Sequence, residues 1–217
     1  MTDKLLIGFG DSIMAGAFVQ PEDTYLVKLG EMFGFKTKNA GVPGNTSTQG
    51  LARMEEDVLR FRPDICIVAF GMNDHYAVAS DVRNVEKPVY RKNLRIMITK
   101  LQEIGCKPVL CTINPVIAGD KHAYYYRRHP EEWYLHPKGV MAWIEEYNEI
   151  IRQIAKSMKI SLADIAMYWK KYVHNGGSLT EVLRTIENSG DDDGVHPTPA
   201  GHALYAECIA EEISQWL

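Results

Sequence analysis

The sequence predicts an α/β protein in which a doubly wound parallel sheet of five strands lies between two layers of helices. Two observations carry this reading. Apolar runs of strand length alternate along the chain with segments whose apolar residues recur at helical spacing, and the run Asp64 to Phe70 is apolar on both of its alternating faces, as a strand covered from both sides requires. With 217 residues, 46% of them apolar and 24% charged, the chain has the size and composition of one domain, expected over residues 1–217. A chain of this length builds its core without disulfide or zinc staples.

The elements follow in order. Lys4 to Phe9 is a short apolar run that ends in glycine, the first strand, and Glu22 to Met32 then places Tyr25, Leu26, Leu29 and Met32 on one helical face. Phe35 to Asn39 is the second strand. The turn-rich Gly41-Val42-Pro43-Gly44-Asn45 leads into a helix whose Leu51, Met54, Val58 and Leu59 share a face, with its cap at Thr46, Ser47 or Thr48. Asp64 to Phe70 is the third strand, ended by Gly71. Tyr90 to Ile104 turns Leu94, Met97, Ile98 and Leu101 inward, and Lys107 to Ile113 is the fourth strand, stopped by Asn114-Pro115. Val140 to Met158 is a long helix, Ile160 to Leu162 a brief fifth strand, and Pro199 to Trp216 a closing helix. Residues 75–89 and 114–139 are irregular. The second of these holds Tyr124, Tyr125, Tyr126, Trp133 and Tyr134, a cluster suited to packing over the sheet edge, to a subunit contact, or to the wall of a substrate pocket.

Charge narrows the possible partners. Twenty-four Lys and Arg against 28 Asp and Glu give a net charge of −4, and no basic run exceeds two residues, so nucleic acid is excluded as a partner. Met1 to Lys4 leads into an apolar stretch shorter than the ~7–15 residues of a signal-peptide core or the ~20 of a membrane span, which predicts a cytoplasmic protein with no stable membrane insertion. Cys66, Cys106, Cys111 and Cys208 lack metal-type spacing and read as buried free thiols. No feature specifies an oligomeric state.

Chemistry is expected at the carboxyl ends of the strands, where loops diverge from an open parallel sheet. Four polar motifs fall there: Gly10-Asp11-Ser12-Ile13, Gly41 to Asn45, Gly71-Met72-Asn73-Asp74, and, near the C-terminus, Asp193-Gly194-Val195-His196-Pro197. Ser12 taken alone is an ordinary helix cap, Gly44 a turn glycine and Asn73 a loop cap. Together they supply a hydroxyl, donors and a base. Asp193 and His196 are three residues apart and can share a turn, so the carboxylate accepts the imidazole Nδ1 proton and leaves Nε2 free to deprotonate Ser12. The Ser12 motif does not fit Gly-x-Ser-x-Gly, which sets the chain apart from α/β-hydrolase-fold enzymes.

In order and rough spacing, Gly10-Asp11-Ser12-Ile13, Gly44, Asn73 and Asp193-Gly194-Val195-His196-Pro197 resemble the SGNH hydrolases, also called GDSL esterases and lipases. The resemblance runs from about residue 4 to 215 and includes Asn114-Pro115. It implies a flavodoxin-like α/β/α fold, Ser12 as nucleophile, His196 as general base and Asp193 as its orienting acid. The implied oxyanion hole is the backbone N–H groups of Ser12 and Gly44 with the Asn73 side-chain amide. It implies a serine esterase acting on a small-molecule ester, with short-chain acyl or O-acetyl groups expected, and neither metal nor organic cofactor. Thioesters and lysophospholipids are the alternatives within the family. Ile13 stands where the family name has leucine. Asp191 and Asp192 are expected to be solvated, His75 and His202 to be structural or solvent-facing, and Arg127 and Arg128 either to meet an anionic substrate or to be exposed without a role.

Three other readings compete. A nucleotide- or flavin-binding module has the same kind of sheet, but Gly8-Phe9-Gly10 lacks the third glycine of a dinucleotide fingerprint and no phosphate loop is present. A metal hydrolase on Asp191, Asp192, Asp193, His196 and His202 would lack any known ligand motif. A catalytically idle scaffold is disfavoured by the presence of every site residue.

Overall fold

A computed structural model describes residues 4–216, so residues 1–3, on which the reading of the N-terminus partly rests, lie outside it. The first strand, β1 (Leu5–Gly10), is followed by the short helix α1 (Ser12–Ala15), a 3₁₀ turn at Pro21–Asp23 and α2 (Tyr25–Phe33). The helix expected from Glu22 is broken because Thr24 caps a new helix, its hydroxyl accepting from the Val27 N–H. Then come β2 (Lys36–Gly41), α3 (Ser47–Asp57) and β3 (Ile65–Ala69). Thr46 is the cap of α3 and forms a reciprocal capping box with Gln49.

Residues 75–89 are more regular than expected, holding a small antiparallel hairpin of β4 (Ala77–Ala79) and β5 (Val82–Arg83) before α4 (Lys87–Glu103). After β6 (Lys107–Cys111) the chain forms the single turn α5 (Tyr125–Arg128), then α6 (Val140–Met158) and β7 (Ser161–Ala163). A helix absent from the sequence reading follows: α7 (Ile165–His174), capped by Asp164 and buried through Ile165 and Trp169. The short α8 (Leu179–Val182) and α9 (Ile186–Ser189) precede the closing α10 (Pro199–Ser214).

The five-stranded sheet runs β2-β1-β3-β6-β7, and every pair in it is parallel. The chain steps one way from β1 to β2, then back across β1 to β3 and onward, so right-handed crossovers put helices on both faces. Accordingly α3, α4 and α6 pack in succession, while α10 packs on α2, α7 and α8. This is the expected α/β/α arrangement. Leu6, Ile7 and Phe9 of β1 and Ile65, Cys66, Ile67 and Val68 of β3 are buried, as central strands demand. All four cysteines are buried and free. At Gly41 a Cβ would lie 2.3 Å from the Ala15 nitrogen, so the end of β2 can reach the backbone of α1 only as glycine.

Candidate active site

The direction reversal in the sheet lies at β1, and Ser12 follows β1 directly. Asp11, not Ser12, is the helix cap: its carboxylate accepts from the Ile13 N–H at 3.0 Å, and burial pushes its carboxyl up to about 6, partly offset by that bond. Ser12 is therefore free to use its hydroxyl elsewhere. Its Oγ lies 2.9 Å from His196 Nε2, and His196 Nδ1 lies 2.8 Å from Asp193 Oδ2. The other oxygen of Asp193 accepts the N–H groups of Val195 and His196, at 3.1 and 3.3 Å. Burial alone would raise the Asp193 carboxyl, but the hydrogen bond and charge of His196 and these two N–H groups outweigh it and hold it below the ordinary value. Asn114, at the end of β6, donates to the Val195 carbonyl and accepts from the Tyr205 hydroxyl, which ties this loop to the sheet.

Across the cleft, Gly44 takes φ +77° in a turn closed by the Asn45 N–H on the Val42 carbonyl. No heavy atom lies within 4 Å of where its Cβ would stand, so this backbone faces open space. Asn73 reaches across to another loop rather than capping its own. Its Nδ2 donates to the Asn45 carbonyl at 3.0 Å, and a primary amide has a second hydrogen to give. Asn84 holds the Asn73 carbonyl at 2.7 Å. Thus Asn73, Asp193 and His196 line one cleft, with Ser12 hydrogen-bonded to His196 and Gly44 next to Asn45, whose carbonyl Asn73 holds.

That cleft opens into a cavity of about 450 Å³ whose walls include Phe18, Tyr76, Arg127, His129 and Arg184. The aromatic segment divides between its expected roles. Tyr126 and Tyr134 are buried and meet each other and Trp143 edge to face, whereas Tyr125, Arg127, Arg128 and His129 line the cavity. Asp192 departs from expectation: rather than solvated, its side chain is 16% exposed and pairs with Arg127 at 2.8 Å. Asp191 is exposed, as expected, though it pairs with Arg184 at 2.6 Å. His75 and His202 are both fully buried, and burial pulls each down to about 4, so they are packed neutral. His75 bridges the Gly71 carbonyl and the Tyr125 hydroxyl, and His202 stacks on Tyr25. The candidate metal set is thereby taken apart, since Asp191 and Asp192 turn to arginines and His202 is packed among tyrosines.

Several supporting residues escaped the sequence reading. Arg53 donates to the Gly10 and Ala40 carbonyls and to Asn45 Oδ1, pinning the Gly44 loop to the sheet. Asp74 is buried and accepts from both the N–H and the hydroxyl of Ser47. Phe18 and Arg184 stand beside His196. Only Asp74, adjacent to a motif asparagine, carried a local signal, because the others act across long sequence separations.

The model of the GDSL-like lipase/acylhydrolase family matches residues 9–204. The chain is 29% identical over 216 residues to an uncharacterized lipoprotein, YqeF, of Bacillus subtilis, spanning 95% of this chain and 88% of that protein. It is 25% identical over 190 residues to an acetylxylan esterase of Geobacillus stearothermophilus, spanning 85% of this chain and 75% of that protein. Among solved structures, the lipase/acylhydrolase from Enterococcus faecalis superimposes with a TM-score of 0.74 at 24% identity, over 99% of this chain and 97% of that one. The family match makes this chain a hydrolase that acts on ester bonds. The chain belongs to the GDSL-like lipase/acylhydrolase family. Among the described residues no helix is long and apolar enough to cross a membrane.

Proposed function

We propose that this chain is a serine esterase working through an acyl-enzyme on Ser12, in one hydrolase domain spanning residues 1–217. The observation that carries the reading is the unbroken hydrogen-bonded series Ser12 Oγ, His196, Asp193, at 2.9 and 2.8 Å. Ser12 Oγ attacks the ester carbonyl while His196 Nε2 takes its proton. The oxyanion of the tetrahedral intermediate meets the N–H groups of Ser12 and Gly44 and the free hydrogen of Asn73 Nδ2. Collapse expels the alcohol, which takes the proton from His196. Water then repeats the attack on the acyl-enzyme, with the same histidine as base, and frees the acid and Ser12.

The acyl group is short, acetyl above all, and the alcohol is rich in hydroxyls. The cavity supports this second half because its charges are matched in place: Arg127 by Asp192 at 2.8 Å, Arg128 by the same carboxylate at 3.8 Å, and Arg184 by Asp191. Such walls give an anion no unpaired cation. They offer many donors and acceptors, together with the ring of Tyr76 tilted against His129 at 5.0 Å. The similarity to an acetylxylan esterase accords with that choice. A thioester or a lysophospholipid substrate is the runner-up. Cytoplasmic residence is part of the proposal, and cell fractionation tests it: a Bacillus subtilis relative bears the name of a lipoprotein, and recovery of this chain with membranes would overturn it.

Replacing Ser12 with alanine tests the core of the reading. On an activated ester, kcat should fall by on the order of 10⁴ to 10⁶ in a folded protein, and an organophosphonate should label Ser12 in the wild type. A variant keeping a tenth or so of the activity, or a label on another residue, sinks the assignment. A panel of p-nitrophenyl esters of increasing chain length, beside acetylated sugars and acyl-CoA, tests the substrate.

A further inference from the structure

The proposed base and its acid are held from outside by a residue that no motif marks. Arg184 lies two residues beyond α8, and its main chain brackets the His196 turn. Its N–H donates to the His196 carbonyl at 2.9 Å, and its carbonyl accepts from the Gly194 N–H at 2.8 Å. The side chain, 15% exposed, then runs back over the same turn. One terminal nitrogen sits 2.6 Å from Asp191, while Nε sits 3.5 Å from Asp193 Oδ2, the oxygen that accepts His196 Nδ1. The guanidinium rests on the Phe18 ring at 4.5 Å, and that ring meets His196 in a T-shaped contact at 5.0 Å. Phe18 is 63% exposed and holds φ +69°, an uncommon conformation for a bulky residue and one that tends to mark functional sites.

We propose that Arg184, seated on Phe18, is the positioning residue of the catalytic base: it fixes the Asp193 carboxylate against His196 and opposes build-up of charge on the imidazole. The inference rests on the reading of Ser12, His196 and Asp193 given above. A guanidinium beside the carboxylate shares the negative charge that would otherwise stabilise the imidazolium in full. Phe18 fills the angle between guanidinium and imidazole and keeps Arg184 from swinging out to Asp191 alone.

The other charges around His196 are otherwise engaged. On its own loop, Asp191 and Asp192 pair with arginines; from α5, Arg127 pairs with Asp192 and Arg128 donates to the Asp192 and Asp193 carbonyls. Beneath Ser12, Asp11 is occupied by the Ile13 N–H, and His202 on α10 is packed neutral. On the cavity wall His129 stacks on Tyr125, and burial followed by the Arg128 charge holds it below the ordinary imidazole value. Among the described residues, Arg184 is the one guanidinium in ion-pair contact with the Asp193 carboxylate.

The test measures kcat and KM on p-nitrophenyl acetate across the pH range for Arg184→Met, Arg184→Lys, Phe18→Leu and Asp193→Asn, each checked for folding by circular dichroism. Arg184→Met should lose about 10- to 50-fold in kcat with KM unchanged. The acid limb of its kcat/KM profile should move up by roughly half a pH unit, because losing the cation favours imidazolium. Arg184→Lys should restore the limb but only part of kcat, since an ammonium has no planar face for Phe18. Phe18→Leu, at an exposed position, should lower kcat several-fold and leave the limb in place. A folded Arg184→Met enzyme with an unmoved acid limb overturns the proposal. So do wild-type kcat values in Arg184→Lys and Phe18→Leu together, should Arg184→Met fail to fold. Near-wild-type Asp193→Asn would instead sink the triad reading itself, which separates the two failures.

Discussion

The two sides of the cleft are anchored by different means. On the side of Gly44 and Asn73 the supports are hydrogen bonds to the ends of the sheet and to α3: the half-buried Arg53 reaches the Gly10 and Ala40 carbonyls, and the buried Asp74 accepts from Ser47 at the start of α3. Asn93 of α4 adds bonds to Ser47 and Thr48. On the side of Asp193 and His196 the supports are ion pairs near the surface, with Arg184 and Arg127 meeting Asp193, Asp191 and Asp192. The difference follows from what each side does. Donors to an oxyanion act through fixed position and stay neutral, so a rigid hydrogen-bonded frame serves them. A base that gains and loses a proton needs charges arranged around it, and these are less expensive to hold where water reaches them.

The largest effect that would sharpen this contrast lies within the acidic run. Asp193→Asn should lower kcat by about 10⁴, because an amide donating to Nδ1 leaves the imidazole in the wrong tautomer. Asp191→Asn should do little. Asp192→Asn releases Arg127 and should raise KM a few-fold on a bulky ester while leaving kcat intact, as expected of a wall residue. Steady-state kinetics on the three variants decide the matter. Equal losses in all three would mean that the run acts as a unit, and the assignment of Asp193 would fail.

The same contrast explains what could be read from the sequence. The strands and the long α6 were legible because burial on both faces, or along one stripe, leaves a periodic signal, and Val140–Met158 is found where periodicity put it. The five candidate site residues stood out because each sits in a short motif, Ser12, Gly44 and Asn73 after strands and Asp193 and His196 in the loop before α10. Phe18 and Arg184 were not, since neither belongs to a motif and both meet His196 only through the fold. α7 was missed because its buried stripe amounts to Ile165 and Trp169 alone, too few to set a period. Asp192 was misjudged by composition: three consecutive acids look solvated until Arg127, 65 positions earlier, arrives over the loop.

Asn73 gives the next effect in size and bears on the oxyanion side. Asn73→Ala should lower kcat by about 10² to 10³ with KM nearly unchanged, since the bond strengthens only as charge develops on the oxygen. It also removes the tie to the Asn45 carbonyl, so circular dichroism must confirm that the variant is folded. Asn73→Gln carries the same amide one methylene further and should recover little. Asn73→Asp should be at least as damaging as alanine, because it sets a carboxylate against the oxyanion. A folded Asn73→Ala protein with wild-type kcat would remove the amide from the oxyanion hole.

The smallest expected effect on catalysis, and the one that isolates the buried frame, is at Asp74. Burial pushes its carboxyl from the ordinary 3.8 up to about 7, although the Ser47 hydroxyl and N–H pull the other way. Between those two values the folded protein holds a proton that the unfolded chain has lost. Stability therefore falls as pH rises from about 4 to about 7, by up to ~1.4 kcal/mol per pH unit, and this contribution is flat above that window. His75 and His202, drawn down to about 4, act in the opposite sense: neutral when folded and protonated when unfolded, they make stability rise from about 4 to the ordinary imidazole value of 6.5. The total curve mixes these slopes, so Asp74 must be read as a difference. Asp74→Asn resembles the protonated acid in shape and cannot ionise. Urea unfolding of the wild type and the variant at several pH values should show the variant gaining on the wild type by about 1 kcal/mol for each unit between roughly pH 5 and 7, with no further gain above. Its kcat should stay within a few-fold of wild type, because Asp74 holds the start of α3 and touches no reacting atom. A constant difference across the pH range would mean that Asp74 does not carry a proton into the fold, and the frame on this side of the cleft would then hold a buried charge after all.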